Sequence, residues 1–258
     1  MLYKASSLKG FKLNSLDGEI GNVKEFFFDD RYWTIRYLVA ETGNWLTGRQ
    51  VLISPYALSA VNQAEENIAV DLTSQRIEES PSLESDKPVS RQYEEDFHGY
   101  YGLSMYWKGP FRWGFEPYLL SSDENWRKPN PNDYPWDPDL YSTNDTIGHH
   151  VQASDDVIGH VEDFIIDDTS WTIRYLVINT RNWLPGKHVL VSPQWIEKVS
   201  WTKAKVYLSI PRESIEKAPE YDDDQPITRE YEVKLYQHYN CDGYWIDEPG
   251  VGGWPDND

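Results

Sequence analysis

Two arginines, Arg36 in the stretch Trp33 to Val39 and Arg174 in Trp171 to Val177, sit inside sequence that reads as β-strand. A charged side chain there either faces solvent or pairs with a carboxylate. The nearest acids are the doublets Asp29-Asp30 and Asp167-Asp168, with Glu25 and Asp163 just before them. Paired carboxylates can hold a hard cation or do acid–base work. Neither doublet has the spaced oxygen ligands of a calcium loop, and Asp readily bonds its own backbone in a turn. The doublets are therefore read as turn residues, and each arginine as one half of a structural salt bridge.

The remaining reactive groups form weaker sets. His149-His150 with His160 is the nearest approach to a metal set, but there is no HExxH and no cysteine at zinc spacing. His98, His188 and His238 stand apart, His98 and His238 in aromatic segments that pack or face solvent. Asp133, Asp137, Asp139 and Asp145 lie among prolines and read as a solvated linker. Ser54-Pro55 and Ser192-Pro193 lack a nucleophile elbow and read as turns. The glycines make no phosphate loop. Cys241, the only cysteine, has an acidic neighbour that disfavours a thiolate, and alone it permits no intrachain disulfide. No catalytic, cofactor-binding or metal-binding residue is expected, and no cofactor.

The elements that hold these residues come in two copies. Ile20 to Pro55 and Ile158 to Pro193 align without gaps at an offset of 138, with 22 of 36 positions identical. The correspondence runs from Gly10 to Trp107 and from Gly148 to Trp245, a period that means duplicated domains and not a solenoid. The expected domains are 1–107, a Pro/Asn/Asp- and aromatic-rich linker 108–147, and 148–258. Each copy reads as short strands: Phe11 to Asn14, a turn at Asp17-Gly18, then Ile20 to Phe28, Thr34 to Thr42, Gln50 to Ile53 and Ile68 to Leu72. A turn at Asn44 to Arg49 and a short helix at Thr73 to Glu79 complete it. Five or six short strands with frequent turns predict an all-β chain of two small closed or nearly closed barrels. Each barrel is followed by a Tyr/Trp-rich tail, Tyr93 to Trp113 and Tyr231 to Trp245, that packs across the barrels, each onto the other repeat so as to lock the two together, or offers a partner-binding surface.

The whole chain narrows the function. Its 258 residues carry 24 basic and 43 acidic side chains, a net charge of -19. Nucleic-acid binding and contact with anionic lipid are disfavoured, since both need clustered Lys and Arg. No stretch has the roughly 20 apolar residues of a membrane helix, so membrane insertion is not expected and a cytoplasmic protein is.

The stretches Gly10 to Ile53 and Gly148 to Val191 resemble the PRC-barrel domain. The matching pieces are Gly10-Phe11, Asp17-Gly18-Glu19-Ile20-Gly21, the strand Val23 to Phe28, Trp33 to Val39 and Val51 to Pro55. In the second copy they are Asp155, Ile158-Gly159, Trp171 to Val177 and Val189 to Pro193. The family is named for the cytoplasmic domain of the photosynthetic reaction centre H subunit and includes a domain of a ribosome-maturation factor. The resemblance implies β-barrels of about six strands that bind proteins and share no catalytic site. It points to a tandem, reaction centre H-like protein that is not an enzyme. Such a protein works with a protein partner or as a homodimer through its aromatic tails. A small-ligand or divalent-cation site between the two barrels is the other reading.

Overall fold

The structure, a computed structural model, describes residues 1–43, 46, 49–81, 89–109, 111–114, 119, 140–180 and 187–246. The first copy contains β1 (Leu2–Lys4), α1 (Ala5–Leu8), β2 (Lys12–Ser15), β3 (Gly18–Asp29), β4 (Thr34–Glu41) and β5 (Gln50–Ile53). A 3-10 turn, Pro55–Ala57, leads to β6 (Leu58–Asn62), β7 (Asn67–Val70), α2 (Ser74–Glu78) and α3 (Arg91–Tyr101). The second copy repeats the plan with β8 (Leu140–Ser142), α4 (Thr143–Thr146), β9 (His150–Gln152), β10 (Val157–Asp167), β11 (Thr172–Asn179) and β12 (His188–Val191). It ends with β13 (Ile196–Ser200), β14 (Lys205–Leu208), α5 (Arg212–Glu216) and α6 (Arg229–His238). Two compact units result: Met1–Ile147 with Asp163–Leu176, and Gly148–Glu162 with Val177–Asp258.

The expected all-β pair of β-barrels is corrected by this architecture, which is mixed α/β with six α-helices among the described residues. In the first copy the strand order is β6-β7-β2-β3-β4, with β5 on β4, and among the described residues only β2 and β7 run parallel. The second copy keeps the order as β13-β14-β9-β10-β11, with β12 on β11. In both, the outermost strands have no ladder to each other among the described residues, so the sheet stays open. The physical reason lies in the tails. Tyr93, Phe97 and Tyr101 recur every four residues and make one face of helix α3. That face packs on Tyr37, Val39 and Leu52 of β4 and β5. A helix thus covers apolar surface that a closing strand would otherwise cover. Full burial of a side chain such as Phe97 contributes about 1.5–3 kcal/mol.

The hairpins behave as their sequences require. Asp17 turns the chain between β2 and β3 and also accepts bonds from Ser74 N at 2.7 Å and Ser74 Oγ at 2.9 Å, fixing the start of α2. Asp155 accepts from Arg212 N at 2.8 Å in the same way. Gly21 (φ +132) must be glycine, because a Cβ there would lie 2.2 Å from the Glu41 carbonyl oxygen. At Gly159 a Cβ would lie 2.0 Å from the Asn179 carbonyl oxygen. The turn expected at Asn44 to Arg49 falls mostly outside the described residues, as does most of the linker 108–147.

Within the first unit, β4 and β11 meet end to end. Ile35 N donates to Trp171 O at 2.7 Å and Ile173 N donates to Trp33 O at 2.7 Å. Thr34 and Thr172 are direct partners across this antiparallel bridge. Trp33 and Trp171 both have left-handed backbone, with φ 50 and 52. That conformation costs on the order of 1–2 kcal/mol for a non-glycine residue. Burial of both indoles and the two reciprocal bonds offset it. Phe28 stacks on Trp33 at 5.4 Å and meets Phe164 at 5.6 Å, so both copies contribute rings to this core.

Candidate functional site

The tail aromatics fasten the last helix of each copy. Ser90 caps α3 by accepting from Tyr93 N at 3.2 Å. One turn in, Arg91 Nη1 donates to Glu94 Oε2 at 2.7 Å. The other Glu94 oxygen accepts from Tyr106 OH at 2.6 Å and faces Tyr37 OH at 3.0 Å. The Arg91 guanidinium lies over the Trp107 ring, 4.1 Å from its centroid. The second copy repeats three of these parts: Arg229 pairs with Glu232 at 2.9 Å, Tyr244 OH donates to Glu232 at 2.9 Å, and Arg229 lies 4.3 Å over Trp245. These rings are engaged within their own unit and not on the other repeat. Phe111 and Ile246, just beyond the two fastenings, are exposed.

Position 98 is where the two fastenings differ. His98 is buried, and burial pushes its imidazole down to about 3, so the ring is neutral. Its Nδ1–H donates to Ser104 O at 2.7 Å. That leaves Nε2 as an acceptor facing the Tyr37 hydroxyl at 3.0 Å. Burial raises the Glu94 carboxyl, opposed by Arg91 and the two tyrosine hydroxyls. The corresponding Tyr236 turns instead to Ser192 Oγ at 3.2 Å.

The two arginines singled out from sequence pair with the first Asp of each doublet. Arg36 Nε lies 2.7 Å from Asp29 Oδ2, and Arg174 Nη2 lies 2.8 Å from Asp167 Oδ2. Asp29 Oδ1 also accepts from Arg31 N and Tyr32 N, which is the turn role. Burial works to raise the Asp167 carboxyl, but Arg174 holds it below the usual carboxylate range. Arg36 is sandwiched between the rings of Tyr106, at 4.0 Å, and Trp113, at 4.8 Å. Its Nη1 and Nη2 are buried without a hydrogen-bond partner, so ring faces stand in for acceptors there.

Other singled-out residues have structural roles as well. Glu25 accepts from Ser142, and Asp163 from Ser6. Ser54 and Ser192 cap the 3-10 turns that follow them. His150 and His160 are register partners on neighbouring strands, while His149 is buried against Trp201. His238 bonds the Ser214 carbonyl, and Cys241 is an exposed free thiol. Asp133, Asp137 and Asp139 lie outside the described residues, and Asp145 is exposed. Among the described residues no three His, Cys, Asp or Glu side chains gather to hold a metal ion.

Sequence reasoning missed two arrangements. Arg49 and its counterpart Lys187 cap the carbonyl ends of α2 and α5, Arg49 at Glu78 O (2.9 Å) and Lys187 at Glu216 O (2.7 Å). The signal was a cation recurring at one position. In the second unit, His188 bridges Glu162 at 2.8 Å and Asp223 at 3.2 Å, partners too distant in sequence to be foreseen.

A cleft of about 180 Å³ opens in the first unit between the 3-10 turn, α2 and α3. Phe97, Tyr101 and Leu72 form its apolar walls, Ser54 and Ala57 line it, and Arg76 and Asp71 bring charge to it. At the position equivalent to Ala57, the second copy has Trp195. That indole is buried and packs on Tyr239, the counterpart of Tyr101, at 4.3 Å between centroids.

The PRC-barrel domain family matches residues 138–215, which run from the approach to β8 into α5. PRC-barrel domains are non-catalytic and generally take part in protein interactions. No curated protein matches the chain. No helix among the described residues is long and apolar enough to cross a membrane.

Proposed function

We infer that the chain is a non-catalytic protein-binding or scaffold protein of the reaction centre H-like kind. In this reading it has PRC-type modules at 1–107 and 148–258 joined by the segment 108–147. It works through a protein partner or by self-association as a homodimer. The observation that carries this is the PRC-barrel match at 138–215, in a family of interaction modules. The 22 identities in 36 positions extend the reading to the first copy. The recurring polar residues support it too, since Asp17, Asp29, Arg36 and Glu94 are each engaged in holding a turn, strand or helix. The exposed Phe111 and Ile246 are the apolar groups that the tails leave free to anchor a partner.

Sedimentation velocity over a wide concentration range tests self-association. Affinity capture with the intact chain and with the Phe111→Ser, Ile246→Ser double variant tests a partner. The reading expects either concentration-dependent mass or a specific protein captured by the intact chain and lost from the variant. A chain that stays monomeric and captures the same proteins as the variant would overturn it.

A further inference from the structure

We propose that the cleft of the first copy is a binding site for a small aromatic acid, a planar indole-type ring bearing a carboxylate. The size comes from the duplication itself. Trp195 puts an indole against Tyr239 in the second copy; the first has Ala57 at that position, and its Tyr101 ring, which meets Phe97 at 4.8 Å, lines the cleft. The open volume is about 180 Å³. A cavity of roughly 150 Å³ lined by apolar side chains is enough to bind benzene.

The polarity comes from positions where the copies have diverged. Arg76 lines the cleft where the second copy has Ser214. Its guanidinium leans over Tyr101, 5.7 Å from the ring centroid, with only a 3.5 Å bond to the Tyr101 carbonyl. It forms no ion pair with a described carboxylate, so it is available for the ligand's carboxylate. Asp71, the other charge, is already bonded by Ser59 Oγ at 3.3 Å. At the buried end, Ser192 Oγ takes the Tyr236 hydroxyl in the second copy. His98 turns to Tyr37 instead, so the buried Ser54 Oγ, which caps the 3-10 turn by accepting from Tyr56 N at 3.5 Å, lines the cleft with a second lone pair to meet a ring N–H. The apolar walls supply affinity, and the single cation and hydroxyl orient the ligand.

The test is titration of the full chain with indole-3-acetate, indole and tryptamine, followed by calorimetry and saturation-transfer NMR. Two variants take the second copy's residues: Ala57→Trp fills the cleft and Arg76→Ser removes the cation. Both residues already stand at these positions in the sister copy, and thermal melting verifies folding. The expected result is saturable binding of indole-3-acetate, tighter than indole or tryptamine. Ala57→Trp should weaken it more than about tenfold, and Arg76→Ser should remove the preference for the acid, roughly a fivefold effect. The proposal is overturned by no saturable binding of indole-3-acetate up to about 10 mM. Binding that survives Ala57→Trp, or a preference for tryptamine, overturns it as well.

Discussion

Arg36 and Asp29 form an ion pair in which both side chains are fully buried, with Nε 2.7 Å from Oδ2. Removing one partner strands the other charge in a low-dielectric interior, which costs ~3–5 kcal/mol. Arg36→Met alone should therefore cost several kcal/mol. Combining it with Asp29→Asn should recover part of that loss. Asn keeps the turn bonds from Arg31 N and Tyr32 N but carries no charge. Chemical denaturation of the two single variants and the double variant measures this, and strict additivity would show that the pair is not coupled.

His98 sets an acid limb of stability. Burial holds it at about 3, below its unfolded value of about 6.5. Between those values the unfolded chain binds the proton and the folded chain does not. Stability from this group is thus complete above about pH 6.5 and is lost as pH falls toward 3, by at most ~1.4 kcal/mol per pH unit. Glu94 works in the opposite sense. Its raised carboxyl binds the proton more tightly when folded, so its contribution is present at low pH and lost as pH rises through the raised value. Denaturation against pH should show His98→Gln less acid-sensitive than wild type. Glu94→Gln should instead lack the decline that begins above the ordinary glutamate range.

Gly21→Ala and Gly159→Ala each drive a methyl group into a backbone carbonyl that cannot swing aside. Each should lower stability by about 2 kcal/mol or more, and together they should come close to additive. Thermal melting of Gly10→Ala gives the contrast. That residue also has positive φ, but no atom lies within 4 Å of the added Cβ, so only the backbone cost applies.

Trp195→Ala should reproduce in the second copy the space that Ala57 leaves in the first. Truncating a buried tryptophan costs ~3–5 kcal/mol. Added indole should restore part of the lost melting temperature, because a ligand that binds only the folded state stabilises it by mass action. Equal shifts with indole in Trp195→Ala and wild type would mean that the space collapses rather than refills.

Much of this molecule could be read from its sequence, and what could not has specific causes. The duplication, the Asp17-Gly18 turn, the short helix after Thr73 and the pairing of Arg36 with an acid of its own hairpin are local, within about a dozen residues or one repeat offset. The open sheet and helix α3 were not foreseen. By composition Tyr93, Phe97 and Tyr101 read as an aromatic tail, although their four-residue spacing is helical. The Glu94 network joins three segments, around Tyr37, His98 and Tyr106, that only packing brings together. The cleft follows from a difference between copies at Ala57 and Trp195. Each residue is unremarkable alone, and the difference matters only once both are placed against the same tyrosine.

The reciprocal bonds between Ile35 and Trp171 and between Ile173 and Trp33 have the symmetry of a twofold seam. When separate chains make such a seam, every substitution appears on both sides at once, and dilution pulls the halves apart. Carried on one polypeptide, the seam forms at an effective concentration that dilution does not lower. Each side can also change without the other. One polypeptide can thereby keep a matched seam while one copy holds Trp195 and the other holds Ala57.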